Sequence, residues 1–535
     1  MSVARTVADV LEDRVTLEVE GIDRMDLNVY VPQLQWDRGV VGFLRFHRGH
    51  QFPSSAVMAP ITRAFVDSIE QFVTSNDIPL IRFTKKQRKD DVALEHLATF
   101  PHTEGVLFVG KAQEKTPVFR TEKRRNPETG SSYPWIVKST AMVNHYYFYC
   151  VDEDFGPFFL KFCSYFPYTA KLCLNGHEYL KRQLDKSGIP YEALDNGILS
   201  CDDPARAQKI CDALSAAKIN ALLRKWLAKL PHPFTAKDRR AGYRYDISIL
   251  QAEFSLTQVL DRPLSGRVFF EEVIRENLDI GRPDRVQLIF NRRVIKSTPG
   301  RFRTRVLTAG VTPSLHVDYK NSRIKQYYKE GRALRTETTI NNTRDFQIGK
   351  RLKNLSALRK IGFQANRRLL NVQTISHDPT VGEDAFRQVT RPVTIDGQRV
   401  SAMRFDDPTV LALFTALLIF RLLPRGFSNR KLREHFAPLL GQHPSDMTPG
   451  RMTYQLRRLR LHGLIVRQPG TNNYHVTDFG LRIAMFFTRS YARLLRPGLA
   501  TITAPEFPNH QPLQRAFKQF DAAIDAFIKQ QKLAI

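Results

Sequence analysis

The residues with the clearest capacity for chemistry lie on two strand-like segments, Ile324–Tyr328 and Leu334–Ile340. If these segments are neighbouring strands, the hydroxyl of Tyr327 or Tyr328 lies near the carboxylate of Glu337. A tyrosine that attacks phosphorus, beside a carboxylate and among cations, is the equipment of an enzyme that nicks DNA. The spacing therefore predicts Tyr327, Tyr328 and Glu337 as candidate catalytic residues.

Four further residues could bind a divalent metal ion. His316 and Asp318 share one face of a predicted strand, because side chains alternate along a strand. Asp152 and Asp154 lie at the end of another predicted strand, where carboxylates can hold the metal of a nuclease. The cofactor is unknown, but a nuclease would use Mg²⁺ or Mn²⁺. The simpler interpretation of the acidic residues is a solvated turn.

The order of a tyrosine, a lysine, a short turn and the motif R-x-E-x-x-I, from Arg335 to Ile340, resembles the Rep initiators of rolling-circle plasmids and filamentous phages. This resemblance implies a nicking tyrosine with a carboxylate-held metal. There is no His-hydrophobe-His motif nearby, so the variety of nickase with tandem histidines is not indicated. The alternative is a phosphate-binding hairpin in which Glu337 pairs with Arg335 or Lys325.

Around these residues the chain is strongly basic. Between Gly281 and Leu370 there are 22 Lys and Arg but only 5 Asp and Glu, so more than half of the net charge of +28 lies in this segment. Alternation of cations in RFRTRV at 301–306 places them along one face of a strand. The predicted nucleic-acid-binding residues here are Arg301, Arg303, Arg305, Lys320, Arg323, Lys325, Lys329, Arg332 and Arg335.

The elements expected to position these side chains are strands. The predicted strands of the basic segment are Val286–Phe290, Phe302–Leu307, Ser314–Tyr319, Ile324–Tyr328 and Leu334–Ile340. Before residue 230, strand-like runs at Val40–Phe46 and Gly105–Gly110 alternate with an amphipathic helix at Met58–Val73. Strands that alternate with helices favour an α/β arrangement.

A different pattern follows near the C-terminus. A helix is predicted at Pro408–Leu423, and Ser428 is the expected N-cap of a short second helix. Thr448 and Pro449 begin a third, basic helix that ends at Gly463. Two short strands around the turn PGTNN and a further helix complete the pattern.

This order of elements, with RMTYQLRRLRLHGLI at 451–465, QPGTNN at 468–473 and TDFGLR at 477–482, resembles the winged-helix DNA-binding family. The resemblance implies that the third helix faces the major groove and that the wing touches the backbone. The residues that it implicates are Arg451, Thr453, Tyr454, Gln455, Arg457 and Arg458 in the helix and Asn472 or Asn473 in the wing. A winged helix used only for protein contacts is the alternative.

Composition favours the same class of partner. The chain has 535 residues and a sequence pI near 10, but its hydrophobic fraction of 42% is that of an ordinary globular protein. Such an excess of positive charge favours nucleic acid or an acidic membrane surface. The longest apolar stretch, Val410–Phe420, is about half as long as a membrane-spanning helix, so no membrane partner is expected.

The five cysteines form no CxxC pair, and the N-terminal segment is acidic without an apolar core. Both features predict a cytoplasmic protein with reduced thiols. The absence of a Walker phosphate loop, a GxGxxG fingerprint and a GxSxG elbow argues against nucleotide hydrolysis and serine-hydrolase chemistry.

We therefore expect an α/β multidomain protein. The predicted domains are an α/β domain of unknown role at 1–230, a basic β-rich nucleic-acid-binding region at 231–404, a winged-helix domain at 405–500 and a C-terminal helix at 501–535. The predicted function is nucleic-acid binding, with DNA as the main ligand, in a protein of a mobile element or a replication system. Two alternatives remain: a metal-dependent DNA nickase or nuclease, and an RNA-binding component of a ribonucleoprotein, because basic strands interleaved with Tyr and Phe also suit RNA.

Overall fold

The computed structural model describes residues 5–84, 87–261, 263–309, 312–375, 379–420, 426–503 and 519. These residues form a mixed α/β protein, and the chain divides into two compact units, Met1–Thr380 and Val381–Ile535. No helix within the described ranges combines the length and the apolar composition needed to cross a bilayer. Most of the C-terminal helix predicted at 501–535 lies outside the described residues.

The strands of the first unit are β1 (Arg5–Thr6), β2 (Val15–Tyr30), β3 (Leu80–Arg82), β4 (Gly105–Arg125), β5 (Ser132–Asp152), β6 (Gly156–Cys163), β7 (Ala170–Asn175), β8 (Tyr191–Leu194), β9 (Gly197–Cys201), β10 (Asp246–Leu260), β11 (Thr304–Ala309), β12 (Thr312–Tyr319), β13 (Ser322–Lys329), β14 (Ala333–Ile340) and β15 (Thr374–Ile375). Its helices are α1 (Val7–Leu11), α2 (Asp37–Gly42), α3 (Ser55–Ser75), α4 (Lys89–Ala98), α5 (Gly176–Lys186), α6 (Pro204–Ala213), α7 (Ala216–Lys229), α8 (Ala236–Arg240), α9 (Pro263–Glu276), α10 (Pro283–Phe290) and α11 (Leu355–Val372).

From the boundary onward the elements are α12 (Pro379–Thr390), β16 (Val393–Ile395), β17 (Gln398–Val400), α13 (Pro408–Phe420), β18 (Phe427–Ser428), α14 (Asn429–Leu439), α15 (Pro449–Leu461), β19 (Ile465–Arg467), β20 (Asn473–Val476), α16 (Asp478–Ser490) and α17 (Arg496–Thr503).

Eleven of the described strands form one sheet in the order β11-β12-β13-β14-β10-β2-β7-β6-β5-β4-β3. Neighbouring strands are antiparallel, except that β3 runs parallel to β4. The long strands β2 and β10 are neighbours near the middle of the sheet. Because β2 precedes residue 230 and β10 follows it, the regions predicted as separate domains at 1–230 and 231–404 share this sheet.

Helix α11 covers one face of the sheet at β10 and β14. Gly362 lies so close to Phe254 that a Cβ at this position would come within 2.3 Å of the aromatic ring. The buried Asn366 accepts a hydrogen bond from the hydroxyl of Thr338 (2.6 Å) and donates one to the carbonyl of Phe254 (2.8 Å). Since side chains alternate along a strand, the opposite face of β10 and β14 carries a different set of residues.

Two apolar runs that the sequence predicts as strands are helical. Val40–Phe46 belongs to α2 and the π-helical turn Phe43–His47. Val286–Phe290 lies in α10, which begins at Pro283 and ends before Asn291, a residue with a left-handed backbone. A short apolar run fits a buried strand or a buried helix equally well. For Val286–Phe290, the proline at the first turn of α10, Pro283, was the sequence signal for a helix.

The predicted strand Gly105–Gly110 lies within β4, and the helix Met58–Val73 lies within α3, so both predictions are confirmed. The four predicted strands between Phe302 and Ile340 correspond to β11, β12, β13 and β14. Of the five strands predicted in the basic segment, these four are confirmed, and only Val286–Phe290 is helical instead.

In the second unit, three short strands form a sheet in the order β18-β20-β19, and α14 and α15 lie between β18 and β19 in sequence. The predicted caps are confirmed, because Ser428 accepts a hydrogen bond from the amide of Lys431 and Thr448 accepts one from the amide of Arg451. Gly463, with a φ of 72°, follows the end of α15 as predicted. The left-handed backbone explains the glycine.

Candidate nucleic-acid interface

The register of β11 to β14 places four polar side chains in one row across the sheet. Arg305 pairs with His316, His316 with Lys325, and Lys325 with Glu337. Directly paired residues of an antiparallel sheet project from the same face. The row therefore joins residues that the sequence spreads over more than thirty positions.

Cations surround this row on the strands and in the adjoining turns. We define the basic surface as six exposed or half-buried cations of this region, leaving out Arg305: Arg301, Arg303, Lys320, Arg323, Lys325 and Arg332. Within the described part of the chain, none of the six forms a salt bridge. The ammonium of Lys325 lies 3.9 Å from the centroid of the Tyr327 ring. All six are positions that the sequence predicts to contact nucleic acid.

Arg305, His316 and Asp318 were also predicted as site residues, and each of them already interacts with another side chain of the protein. Arg305 donates to the carboxylate of Asp318 at 2.7 Å, so its charge is balanced inside the protein. His316 lies on the same face as Asp318, as predicted, and its Nε2 is 3.0 Å from the hydroxyl of Ser314. Burial, followed by the nearby cations, lowers the pKa of His316 to about 4, so the ring is neutral at pH 7.

The second pair of candidate metal ligands lies in another part of the sheet. Asp152, at the end of β5, accepts hydrogen bonds from the indole of Trp226 (2.8 Å) and the ammonium of Lys225 (2.9 Å). Asp154 accepts one from Lys186 at 2.5 Å. Six strands separate β5 from β12 in the sheet order. Asp152 and Asp154 therefore cannot bind the same metal ion as His316 and Asp318. Among the described residues, no three His, Cys, Asp or Glu side chains form a group that could hold a metal.

Arg335 is a correction to the predicted interface. Its side chain is completely buried. It donates hydrogen bonds to the hydroxyl of Thr257 (3.0 Å), the carbonyl of Asn196 (2.6 Å) and Nε2 of His177 (2.9 Å). With its donors used inside the protein, Arg335 cannot contact a phosphate.

Lys329 is a second correction. Its side chain is only 10% exposed, and its ammonium lies 3.2 Å from the carboxylate of Glu330 and 3.8 Å from that of Asp195. The sequence alone did not reveal the contact with Asp195, because Asp195 comes from the distant hairpin of β8 and β9.

The predicted proximity of a tyrosine to Glu337 holds for Tyr327, whose hydroxyl donates to the Glu337 carboxylate at 2.8 Å. Burial and the adjacent Asp23 carboxylate raise the pKa of Glu337 to about 7. Burial and then the Glu337 carboxylate raise the pKa of Tyr327 above its ordinary value. Tyr327 and Glu337 are thus paired as a hydroxyl donor and a carboxyl group that titrates near neutrality.

Tyr328 projects from the opposite face of β13, because neighbouring residues of a strand alternate. Its side chain is buried at 5% exposure, and a Cβ at Gly266 would come within 2.3 Å of its hydroxyl. The prediction of Tyr328 as a nucleophile is therefore wrong, since a buried hydroxyl packed against a helix cannot reach a phosphodiester.

Beneath Tyr327 lies a set of polar residues that we call the polar cluster: the buried Asp23, His177, Arg335 and Glu337 and the half-buried Asn196. The amide of Asn196 donates to Asp23 at 2.7 Å. Because the arginine can only donate, Nε2 of His177 accepts its hydrogen bond, and the proton of the neutral ring lies on Nδ1. Burial, followed by Arg335, lowers the pKa of His177 to about 3, which agrees with a neutral ring.

The sequence did not predict Asp23, His177 or Asn196 as part of this site. Asp23 lies on β2, and Arg335 lies on β14, which is separated from β2 by β10 in the sheet. No local sequence pattern predicts contacts between strands that are so far apart in the chain. The adjacent His177 and Glu178 were the one available signal, and they are also typical of an ordinary helix start.

In the second unit, helix α15 presents a basic face to solvent. Arg451, Thr453, Arg457 and Arg460 are exposed, while Tyr454 is half-buried. The guanidinium of Arg457 lies 5.5 Å from the centroid of the Tyr454 ring. The apolar side of the helix, with Met452, Leu456 and Leu459, is buried.

Gln455 and Arg458 were predicted to contact nucleic acid, but both are only 6% exposed. Arg458 donates to the carbonyls of Ser401 and Ala402 and lies 3.4 Å from the side-chain oxygen of Gln455. These two predictions are wrong because the segment before α13 packs over this side of the helix.

The loop between β19 and β20 is braced by one arginine. Arg467 donates to the carbonyl of Thr471 and to the side-chain oxygen of Asn472, both at 2.8 Å. Asn472 is exposed and Asn473 is half-buried. These two hydrogen bonds give the loop a defined shape.

Comparison of the chain with family models, with curated proteins and with solved structures gave no match.

Proposed function

We propose that the protein binds nucleic acid, and DNA in particular, through the basic surface of the first unit and helix α15 of the second. The observation that carries this proposal is the basic surface itself, whose six cations have no salt-bridge partner among the described residues. Like charges at this density repel one another unless an anion lies between them. A phosphodiester backbone supplies evenly spaced anions, and its neutralisation releases bound counterions.

The aromatic ring of Tyr327 adds a second attraction to this surface. It lies under the ammonium of Lys325, where a sugar or an unpaired base could pack against it. The row from Arg305 to Glu337 also carries hydrogen-bonding groups. Contacts with phosphates fix the position of a protein on nucleic acid, but they do not distinguish one base sequence from another. We therefore assign the first unit to sequence-independent binding.

We further propose that α13, β18, α14, α15, β19, β20 and α16 form a winged-helix module. Their order and the pairing β18-β20-β19 support this proposal, as do the caps at Ser428 and Thr448. In such a module α15 enters the major groove. Its exposed Arg451, Thr453 and Arg457 are the side chains available to reach base edges.

Selection from a pool of random DNA duplexes tests this division of labour. We expect the full chain to enrich a preferred site, because arginine can read a guanine edge through two hydrogen bonds. Arg457→Ala should lower affinity for that site by about 1–3 kcal/mol and leave non-specific binding unchanged. Arg482→Ala, an exposed arginine on α16, is the matched control. Equal selectivity in Arg457→Ala and the control would contradict a reading role for α15.

A second candidate function, DNA nicking, is favoured by the distance of 2.8 Å between the Tyr327 hydroxyl and Glu337. The tyrosine oxygen would bond to phosphorus, the phosphorus–sugar oxygen bond would break, and Glu337 would take the phenol proton while water protonates the leaving oxygen.

Incubation with supercoiled plasmid, with and without Mg²⁺ or Mn²⁺, tests the second candidate. A nickase would convert the plasmid to open circles and leave protein covalently attached to one DNA end. Tyr327→Phe would abolish the adduct, whereas Tyr328→Phe, which alters a buried side chain on the other face, would not. Adducts that survive Tyr327→Phe would contradict the assignment of the nucleophile.

A further inference from the structure

Strands β4 and β5 extend well beyond the rest of the large sheet. They pair with each other from Gly105↔Val151 to Arg125↔Ser132. Strand β3 pairs only with residues 109–111 of β4, and β6 pairs only with residues 145–152 of β5. Among the described strands, residues 113–144 therefore have no partner except each other. We call this ribbon, which is about 40 Å long at the usual rise per residue, the hairpin arm.

The base of the hairpin arm is fixed to the first unit. Phe119 and Ile136 are buried, and the amide of Phe119 donates to the carbonyl of Phe166 at 3.3 Å. Two hydrogen bonds join Thr121 and Ser55. The amide of Ser55 donates to the Thr121 hydroxyl (2.6 Å), and the amide of Thr121 donates to the Ser55 hydroxyl (2.9 Å). The ribbon beyond Thr121 thus leaves the body of the unit from a rigid base.

The tip is basic and aromatic. Residues 120–138 contain five Lys and Arg but two Glu. Lys123, Arg124 and Arg125 are exposed, and within the described residues none of the three forms a salt bridge. The guanidinium of Arg124 lies 5.1 Å from the centroid of the Trp135 ring.

Cations project from both faces of this tip. Arg124 pairs with Tyr133 on one face, while Lys123 and Arg125 project from the other, because side chains alternate along a strand. A flat acidic protein surface would satisfy only one of these faces. A nucleic-acid groove, which has a phosphate backbone on each side, can satisfy both.

We infer that the tip of the hairpin arm is a separate DNA contact, a two-stranded ribbon that enters a groove of the duplex with its cations directed to the flanking phosphates. The major groove is wide enough to admit such a ribbon. This inference rests on the proposed function. It assigns a role to residues before 230 and gives the first unit two points of attachment, the arm and the basic surface.

The test is the affinity of the full chain for a fluorescent DNA duplex of about three helical turns, measured from about 50 to 200 mM salt. The variant is Lys123→Ala/Arg124→Ala/Arg125→Ala, in which only exposed side chains change. Its matched control is Arg206→Ala/Lys209→Ala/Lys237→Ala, which removes three exposed cations from α6 and α8. Thermal unfolding of both variants should match that of the parent chain.

We expect the arm variant to bind the duplex at least about tenfold more weakly near physiological salt, with a log–log salt slope that is shallower by about 2–3. The control should differ little from the parent. In hydroxyl-radical footprints the arm variant should lose protection at one end of the site.

An arm variant that binds duplex DNA as tightly as the control would overturn the inference and leave the proposed function intact. The same holds for an arm variant that loses affinity only for single-stranded RNA, or only for an acidic protein. If the parent chain binds no duplex at all, the proposed function fails and the inference fails with it.

Discussion

Glu337 is a carboxyl group buried beside a second carboxylate, and this placement makes it sensitive to pH. Its pKa is raised from 4.5 to about 7 by burial and by Asp23. The folded state therefore holds a proton that the unfolded chain releases at lower pH. The contribution of Glu337 to stability is fully present below pH 4.5 and is lost as pH rises through 7.

Glu337→Gln removes this dependence, because the amide is neutral at every pH and can still accept the hydrogen bond of Tyr327. We expect the variant to gain free energy of unfolding relative to the parent chain as pH rises from 5 to 8, by up to about 3 kcal/mol. Urea denaturation at several pH values measures the difference. Glu192→Gln, at an exposed position on β8, is the control and should show no such trend. A constant difference for Glu337→Gln would contradict the raised pKa.

Two neighbouring arginines of helix α15, Arg457 and Arg458, have different roles. Arg457 is exposed, while Arg458 is buried and donates to two backbone carbonyls before α13. Arg458→Ala removes two hydrogen bonds from a charged donor to those carbonyls, so we expect a loss of about 2–3 kcal/mol in unfolding free energy. Arg457→Ala should change stability by less than about 0.5 kcal/mol. Chemical denaturation distinguishes them, and equal stabilities would contradict the burial of Arg458.

The helices α13 to α16 and the strands β19 and β20 could be predicted because their signals are local. Thr448, Pro449 and Gly463 mark the two ends of α15 within the sequence itself. Which side of the helix is covered could not be predicted, because the segment before α13 packs there through contacts across more than fifty residues. Gln455 and Arg458 were assigned to the wrong side for that reason.

At the scale of the whole molecule, one sheet joins strands from most of the first unit. The strands β11 to β14 were predicted from alternation, and so was the proximity of Tyr327 to Glu337 across one hairpin. The union of β2 with β10 could not be predicted, because their register joins Val15–Tyr30 to residues more than 200 positions later. The polar cluster depends on this union, which explains why Asp23 and His177 were not foreseen.

The distribution of charge over the molecule supports the proposal that the protein binds nucleic acid through phosphates. In the first unit the basic surface combines exposed cations before β11 and on β13, which can be altered without disturbing the core. Arg301→Glu/Arg303→Glu/Arg323→Glu is chosen because none of these three arginines forms a salt bridge among the described residues, whereas Arg305 already pairs with Asp318.

The most direct measurement is the salt dependence of duplex DNA binding by the full chain and by this charge-reversal variant. Binding through phosphates predicts a steep fall in affinity with salt for the parent, with a log–log slope of several units, and a slope shallower by about 3 for the variant. Arg206→Glu/Lys209→Glu/Lys237→Glu, with the same change in net charge, should stay close to the parent. A flat salt dependence in the parent chain, or equal slopes in the parent and the Arg301→Glu/Arg303→Glu/Arg323→Glu variant, would contradict it.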